Sequence, residues 1–389
     1  MGKHHGHGLQ LLMAFACAFL GLLLFYVFCF YFRRRAAPKG RSLEDAASGA
    51  EAEEALIRFA GGEDLTARDI LDAPGEVVAK SSHATLYRAV LRRGDTPALL
   101  RFVQPDSAAR TEDVLPAVRR LGAVRRHPNL VPLTAMYLGP RGEKLLVHPF
   151  YAAGNLAQFI REGVSEAHSW IIIFKLSCGI ARGLDHLHNG HGKPVIHGNL
   201  KSNNVLLDVG LQPRLSDFGL HTIMNTATAQ AMLDASAAQG YTAPELSKIS
   251  DSSPATDIYS FGVVLLEMIT RKDPLDNKFL QKDLHLPSSL RILVLEHKLS
   301  DVFSSKLQKE SVHQNSTNEE GLLMLFQLAM ACCSPSPNLR PDIKVVIKRL
   351  EDIVHCVSLG KSETDDCLKL YRGFEASCMF QNQKTCHNR

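Results

Sequence analysis

Two short clusters in the second half of the chain gather side chains that could do chemistry. The first, His197-Gly198-Asn199-Leu200-Lys201-Ser202-Asn203-Asn204, puts an imidazole, a cation and several amides into one stretch. The second is Asp217-Phe218-Gly219. Oxygens from Asn204 and Asp217 suit a hard cation such as Mg²⁺, which takes carboxylate and carbonyl ligands. The same two residues would serve equally as hydrogen-bonding struts of a loop.

Loops of this kind need a scaffold, and the hydrophobic pattern supplies one between residues 65 and 355. Thr85–Leu91, Ala98–Val103 and Leu145–Phe150 read as short strands, the first two separated by an Arg-Gly-Asp turn at 93–95. Ala108–Arg126 has helical spacing, with Val114, Val118, Leu121 and Val124 on one face, and stops at His127-Pro128. Further helices are expected at Trp170–Leu187, Ile258–Thr270, Leu322–Cys333 and Ile343–His355. Ile258–Thr270 is apolar nearly all round, so it should be a buried central helix. Strands first and helices afterwards predict an α+β fold, with a small β-rich lobe over 65–151 and a larger helical lobe over 152–355.

HGNLKSNN at 197–204, DFG at 217–219, APE at 243–245 and DIYSFGVVLLEMIT at 257–270 occur in that order, with Arg340 downstream. The series resembles the catalytic lobe of protein kinases. With HPNLVPL at 127–133, and HGN in place of HRD, residues 65–355 are similar to plant leucine-rich-repeat receptor-like kinases. The likeness is greatest to membrane-bound, kinase-like members of that family whose catalytic motifs are degenerate. It implies a bilobal kinase-like fold behind a single N-terminal transmembrane helix. No extracellular repeats accompany it here, so no ligand-sensing role carries over.

The resemblance also assigns roles, and many of the residues cannot fill them. A kinase covers the ATP phosphates with a glycine-rich loop, because backbone amides must approach closely. The matching stretch at 76–89 has Ala79, Ser81 and Ala84 where the family has glycines, and His83 at its tip. The phosphate-contacting lysine is matched by Arg101, a broad planar fork rather than a compact charge. Its orienting glutamate is matched by Val118, and Glu112, about two turns away, is a poor substitute. His148 belongs to the same degenerate nucleotide pocket, and Lys80 is the cation that could reach in from the loop. Asn199 stands at the general-base position. An amide can orient a hydroxyl but cannot take its proton near pH 7, and losing a general base costs about 10²–10⁴-fold. Gly198 replaces the arginine that grips a phosphorylated activation loop in many kinases.

Other positions keep the family's residue. These are Lys201, together with Asn204 and Asp217, which would hold metal only with nucleotide bound. The structural set of His197, Phe218, Gly219, Glu245, Asp257 and Arg340 is complete. Glu245 and Arg340 should form a buried ion pair, and Asp257 should cap the catalytic loop. Arg101, deprived of its helix partner, is expected to pair with Asp217 across the cleft. The reading is a membrane-anchored pseudokinase, a signalling scaffold or allosteric partner rather than an enzyme, with ATP and Mg²⁺ as weak ligands at most. The alternative is a weak or atypical ATP-dependent Ser/Thr protein kinase.

The chain has 389 residues with a net charge of +4, which gives no footprint for nucleic acid. Leu9–Phe32 is almost wholly apolar and would span on the order of 35 Å as a helix, enough for a bilayer core of about 30 Å. Arg33-Arg34-Arg35, Lys39 and Arg41 come after it, against Lys3 alone before it. The positive-inside rule therefore puts residues 1–8 outside and the kinase-like domain in the cytosol, at the plasma membrane by resemblance. Residues 33–64 read as a juxtamembrane linker and 356–389 as a tail. Cys356, Cys367, Cys378 and Cys386 are too widely spaced for a zinc site, so no structural metal is expected. Partners would be the membrane and other receptor-like kinases or signalling proteins.

Topology can be checked through Asn315-Ser316-Thr317, a glycosylation sequon used only in the secretory lumen. It is predicted to stay unmodified. A glycosidase-sensitive mass shift that disappears in Asn315→Gln would reverse the orientation.

Overall fold

The computed structural model describes residues 55–359, apart from 92–96, 125, 141, 163–168, 276–284 and 296–315. The expected membrane span at 9–32, the basic cluster after it, the turn at 93–95, Asn315 and the tail beyond 359 lie outside these residues. Among the described residues, no helix is long and apolar enough to cross a membrane.

The N-terminal lobe contains β1 (Leu56–Arg58), α1 (Ala67–Leu71), β2 (Gly75–Lys80), β3 (Ala84–Ala89), β4 (Ala98–Val103), α2 (Thr111–Gly122), β5 (Ala135–Leu138) and β6 (Lys144–Pro149). The helical lobe continues with α3 (Leu156–Glu162), α4 (Trp170–Asn189), β7 (Val205–Leu207), β8 (Pro213–Leu215), α5 (Thr226–Ala237) and α6 (Pro254–Thr270). It closes with α7 (Leu286–Leu295), α8 (Ser316–Cys332) and α9 (Ile343–Leu359).

Six strands form one antiparallel sheet in the order β1-β5-β6-β4-β3-β2. The sheet therefore starts earlier than a linker running to residue 64 allows. Leu56 pairs with Tyr137 and buries its side chain, which draws 56–58 into the lobe. α1 begins at a capping box, in which Thr66 and Asp69 satisfy each other's backbone amides. β4 lies between β3 and β6, with Arg101 opposite Leu86 on one side and Leu146 on the other. That places Arg101 at the middle of the sheet.

α2 buries Val114, Val118 and Leu121 of the stripe read from the sequence, together with Ala117, and ends at Gly122, so Val124 falls beyond it. The helix starts at Thr111 instead of Ala108, because the preceding residues are committed elsewhere. Pro105–Ser107 form a 3₁₀ turn, and Ala108 pairs with Met224 of the opposite lobe.

α6 is the axis of the helical lobe, and Phe261 and Val263–Leu266 are completely buried. Ser253 caps it with Thr256, and Pro254 occupies its first turn, where a missing N–H does no harm. Gly262 lets α8 approach. A Cβ there would sit 2.7 Å from Cys333 Sγ and 2.9 Å from the Ala329 carbonyl oxygen.

Near the other end of α6, Glu267 receives hydrogen bonds from Tyr241 Oη (2.6 Å) and Ser202 Oγ (2.9 Å). This buried triangle ties the loop of residues 197–204 to the segment before APE. Burial pushes the Glu267 carboxyl up to about 7, with the two hydroxyl hydrogen bonds opposing the rise. Below its ordinary value of 4.5 the group is protonated folded or unfolded, and its burial carries no ionisation penalty. Between there and about 7 only the unfolded chain releases the proton, so this group's contribution falls as pH rises. Buried His127 and His148, whose values are pushed down to about 3 and about 4, contribute with the opposite sign as pH falls. The readout is therefore a difference. The melting temperature of the native protein minus that of Glu267→Gln should decline from pH 4.5 to about 7 and then level off. A difference independent of pH would remove the buried carboxylate from the account.

Candidate functional site

The cleft between the lobes is lined by the β2–β3 hairpin, β4, the loop at 197–204 and Asp217. The hairpin holds itself shut. Ser81 N donates to Ala84 O (2.9 Å), and Ala84 N donates to Ser81 Oγ (3.1 Å), so these two amides are engaged within the turn. Ala79, Lys80 and Ser81 are exposed, while Ala84 is buried. Lys80 lies on the outer edge strand of the sheet. Gln104 N donates to the carbonyl of His83 (3.0 Å). Burial lowers the pKa of the His83 ring, and Arg101 adds to the effect.

Arg101 donates from Nη2 to Asp217 Oδ1. Both side chains are largely buried, at 9% and 17% exposure, so the pair is shielded from solvent screening. Asp217 itself sits at φ 64°, a left-handed conformation that aspartate tolerates better than most residues. Val118 on α2 is fully buried among apolar neighbours. Glu112 is 74% exposed and faces Arg110 at 3.4 Å. The guanidinium is thus paired with the Asp217 side chain and not with Glu112 of α2. His148 Nδ1 lies 3.0 Å from Pro132 O, where it donates to the carbonyl. Burial, then the Arg101 charge, lowers its ring to about 4, so it is neutral at physiological pH.

The loop at 197–204 is held from below by Asp257. Its Oδ2 accepts from His197 N (2.7 Å) and its Oδ1 from Gly198 N (2.9 Å). His188 Nε2 meets Oδ2 at 2.9 Å. Burial alone would raise the Asp257 pKa, but these bonds more than offset it and hold the group ionised. His197 in turn accepts Gly219 N at its carbonyl (3.0 Å), which links the loop to the 217–219 turn. Asn204 Nδ2 donates to Asn199 O (2.8 Å), and Ser216 N and Oγ both donate to Asn204 O. Asn204 is therefore a strut. Lys201 Nζ donates to Gln239 Oε1 (3.0 Å).

Mg²⁺ fits this arrangement poorly. Asp217 is paired with Arg101, while Asn204 engages the loop through its amide nitrogen and leaves its side-chain oxygen as the one neutral donor. A divalent cation would have to displace a buried guanidinium.

Glu245 and Arg340 form a bidentate pair at 2.6 and 2.7 Å. The arginine is 1% exposed and the glutamate 31%, so the pair is buried at one end only. Arg340 also lies 5.0 Å from the Tyr259 ring centroid and donates to Ser334 O and Ala255 O. Phe218 packs against the core from a half-buried position.

Two features escape sequence reading. α5 is a full helix inside the segment after DFG, and its cap, Asn225 before an alanine-rich run, was an available signal. His221 lies over Gly198, a contact that no linear pattern encodes.

The sequence pattern of the protein tyrosine and serine/threonine kinase family matches residues 74–350. A putative kinase-like protein of Arabidopsis thaliana, TMKL1, is 40% identical over 304 residues, covering 76% of this chain and 44% of that protein. A probable inactive receptor kinase of the same plant is 34% identical, covering 82% of this chain and 49% of its own length. The chain thus spans about half or less of these relatives. Among solved structures, the kinase domain of maize SIRK1 bound to AMP-PNP superposes with a TM-score of 0.65 at 28% identity, covering 77% of this chain and 99% of that one. The pseudokinase domain of BIR2, an immune regulator of the RLK/Pelle family, gives 0.62 at 23%, a likeness of fold, covering 82% and 97%.

The Arg101–Asp217 pair is open to a double-mutant cycle. Arg101→Ala should destabilise by about 1–3 kcal/mol, because it strands a buried carboxylate. Adding Asp217→Ala should cost less than the two single changes summed. Strict additivity in denaturant unfolding would mean the two groups do not interact.

Proposed function

The chain belongs to the protein tyrosine and serine/threonine kinase family, and we propose that it works as a pseudokinase, a receptor-like kinase domain that signals by shape. One observation carries this reading: Arg101 and Asp217, the cation and the metal ligand of the cleft, are bound to each other. An ion pair of this kind fixes the lobes in one relation without ATP. Val118 and Asn199 support the reading, since neither can supply the carboxylate that phosphoryl transfer uses at its position.

We further propose that residues 9–32 anchor the domain at the plasma membrane, with Arg33–Arg35 on the cytosolic side. Its partners would then be other receptor-like kinases or signalling proteins meeting it at that surface. The second reading, a weak Ser/Thr kinase, draws on Lys201, Asn204 and Asp217. It needs Lys80 to reach the cleft from an exposed edge strand.

Nucleotide titration separates the two. A ligand at 100 times its dissociation constant adds about 2.7 kcal/mol of stability, readily visible in a melting curve. The full-length protein is expected to show no such shift with ATP, with or without Mg²⁺, and no transfer of radiolabel to itself or to a generic substrate. Restoring one residue, as in Asn199→Asp, should rescue little, because these groups act as a unit. Autophosphorylation that vanishes in Asp217→Ala would establish the second reading.

A further inference from the structure

The segment after DFG makes more fixed contacts than a regulatory loop requires. Met224 pairs with Ala108 in an antiparallel bridge, and Ala109 N donates to Ile223 O (3.1 Å). Asn225 N donates to Ser107 O (2.9 Å), and its Nδ2 donates to Asp106 O (2.6 Å). Its Oδ1 meanwhile accepts from Thr228 N (2.8 Å) and caps α5. One side chain thus both starts the helix and fastens it to the opposite lobe.

α5 is fastened along its length as well. Ala229, Met232, Leu233 and Ser236 are buried beneath it. Gln230 donates to Ser247 O (3.1 Å) and accepts from Ile249 N (3.2 Å), joining α5 to the stretch beyond APE. Gln239, just after the helix, takes the hydrogen bond of Lys201. At the other end, the His221 ring fills the space beside Gly198. A Cβ on residue 198 would fall 2.5 Å from His221 Nδ1, and φ there is +72°. An arginine at 198 and this histidine cannot both be present in this arrangement.

We propose that residues 220–239 are a self-supplied plug, folded without phosphorylation, which covers the catalytic loop and straps the two lobes together through Asn225. Where the resemblance would have an arginine wait for a phosphate, this chain inserts its own imidazole. The strap between the lobes does not depend on how the nucleotide question is resolved, since the contacts of Ile223, Met224 and Asn225 with residues 106–109 involve neither Arg101 nor Asp217.

Hydrogen exchange on the full-length protein, expressed in bacteria and treated with phosphatase, tests it. Amides 228–236 and those of Ala109 and Asn225 should be protected in this unphosphorylated state. Asn225→Ala should raise exchange roughly fivefold or more in both groups, as loss of a helix cap does. Asn225→Asp keeps the acceptor for Thr228 N but cannot donate to Asp106 O. It should loosen only the 106–109 contact and leave α5 protected. Exchange at free-loop rates in the native protein, or an Asn225→Ala variant with both groups unchanged, would overturn the proposal. Melting temperatures test the histidine: Gly198→Arg should destabilise, and adding His221→Ala should recover part of the loss. A double variant no more stable than Gly198→Arg would show that His221 is not the obstruction.

Discussion

A single buried carboxylate sets the geometry on which the cleft depends. Asp257 enters from the central helix and accepts two consecutive backbone amides, His197 and Gly198, together with the ring of His188. Isolated in the helical lobe it would be very unfavourable, and it is stable only because its oxygens are satisfied. Holding residues 197 and 198 in place also positions the turn at 217–219. The His197 carbonyl takes Gly219 N, which sets the turn that aims Asp217 into the cleft. The same anchoring opens the left-handed backbone at Gly198, beside which His221 rests. The backbone of Asp217 is thus supported from beneath through His197 and Gly219, while its side chain is held from above by Arg101.

This separation explains how shape can persist when the chemistry is altered. The pairs that build the helical lobe, Glu245 with Arg340 and Glu267 with Tyr241 and Ser202, involve neither Arg101 nor Asp217. Substitution at 101, 118 or 199 leaves their partners intact. A change at 340 would leave the Glu245 carboxylate without its cation and would also free the Ser334 and Ala255 carbonyls that the guanidinium holds. The two sets of residues are therefore constrained by different physics, one by folding and one by reaction.

Most of the scaffold was legible because it rests on local periodicity. The stripe of Val114, Val118 and Leu121 gave α2, and the all-round apolar run at 258–270 gave α6. The pairing of Arg101 with Asp217 was legible for another reason: a buried cation that has lost one carboxylate must find the next. β1 was not legible, since three residues carry no period, and only pairing with β5 makes them a strand. α5 lacked an apolar stripe, its alanines giving little contrast between faces. The late start of α2 has a similar cause. Ala108 and Ala109 are taken by residues more than a hundred positions away. Long-range backbone pairing leaves no trace in composition or spacing.

The altered cleft is also self-consistent, which counting lost residues conceals. With valine at 118, the face of α2 closes over apolar neighbours, and a glutamate placed there would have to leave that core or be buried unpaired. If it did reach Arg101, it would compete with Asp217, freeing a carboxylate in a cleft that has no metal site prepared for it. With arginine at 101 instead of lysine, the broad fork already spans the gap to Asp217. The apolar seat of Val118 and the Arg101–Asp217 pair are thus compatible with each other. Within the cleft the charges of Arg101 and Asp217 balance each other.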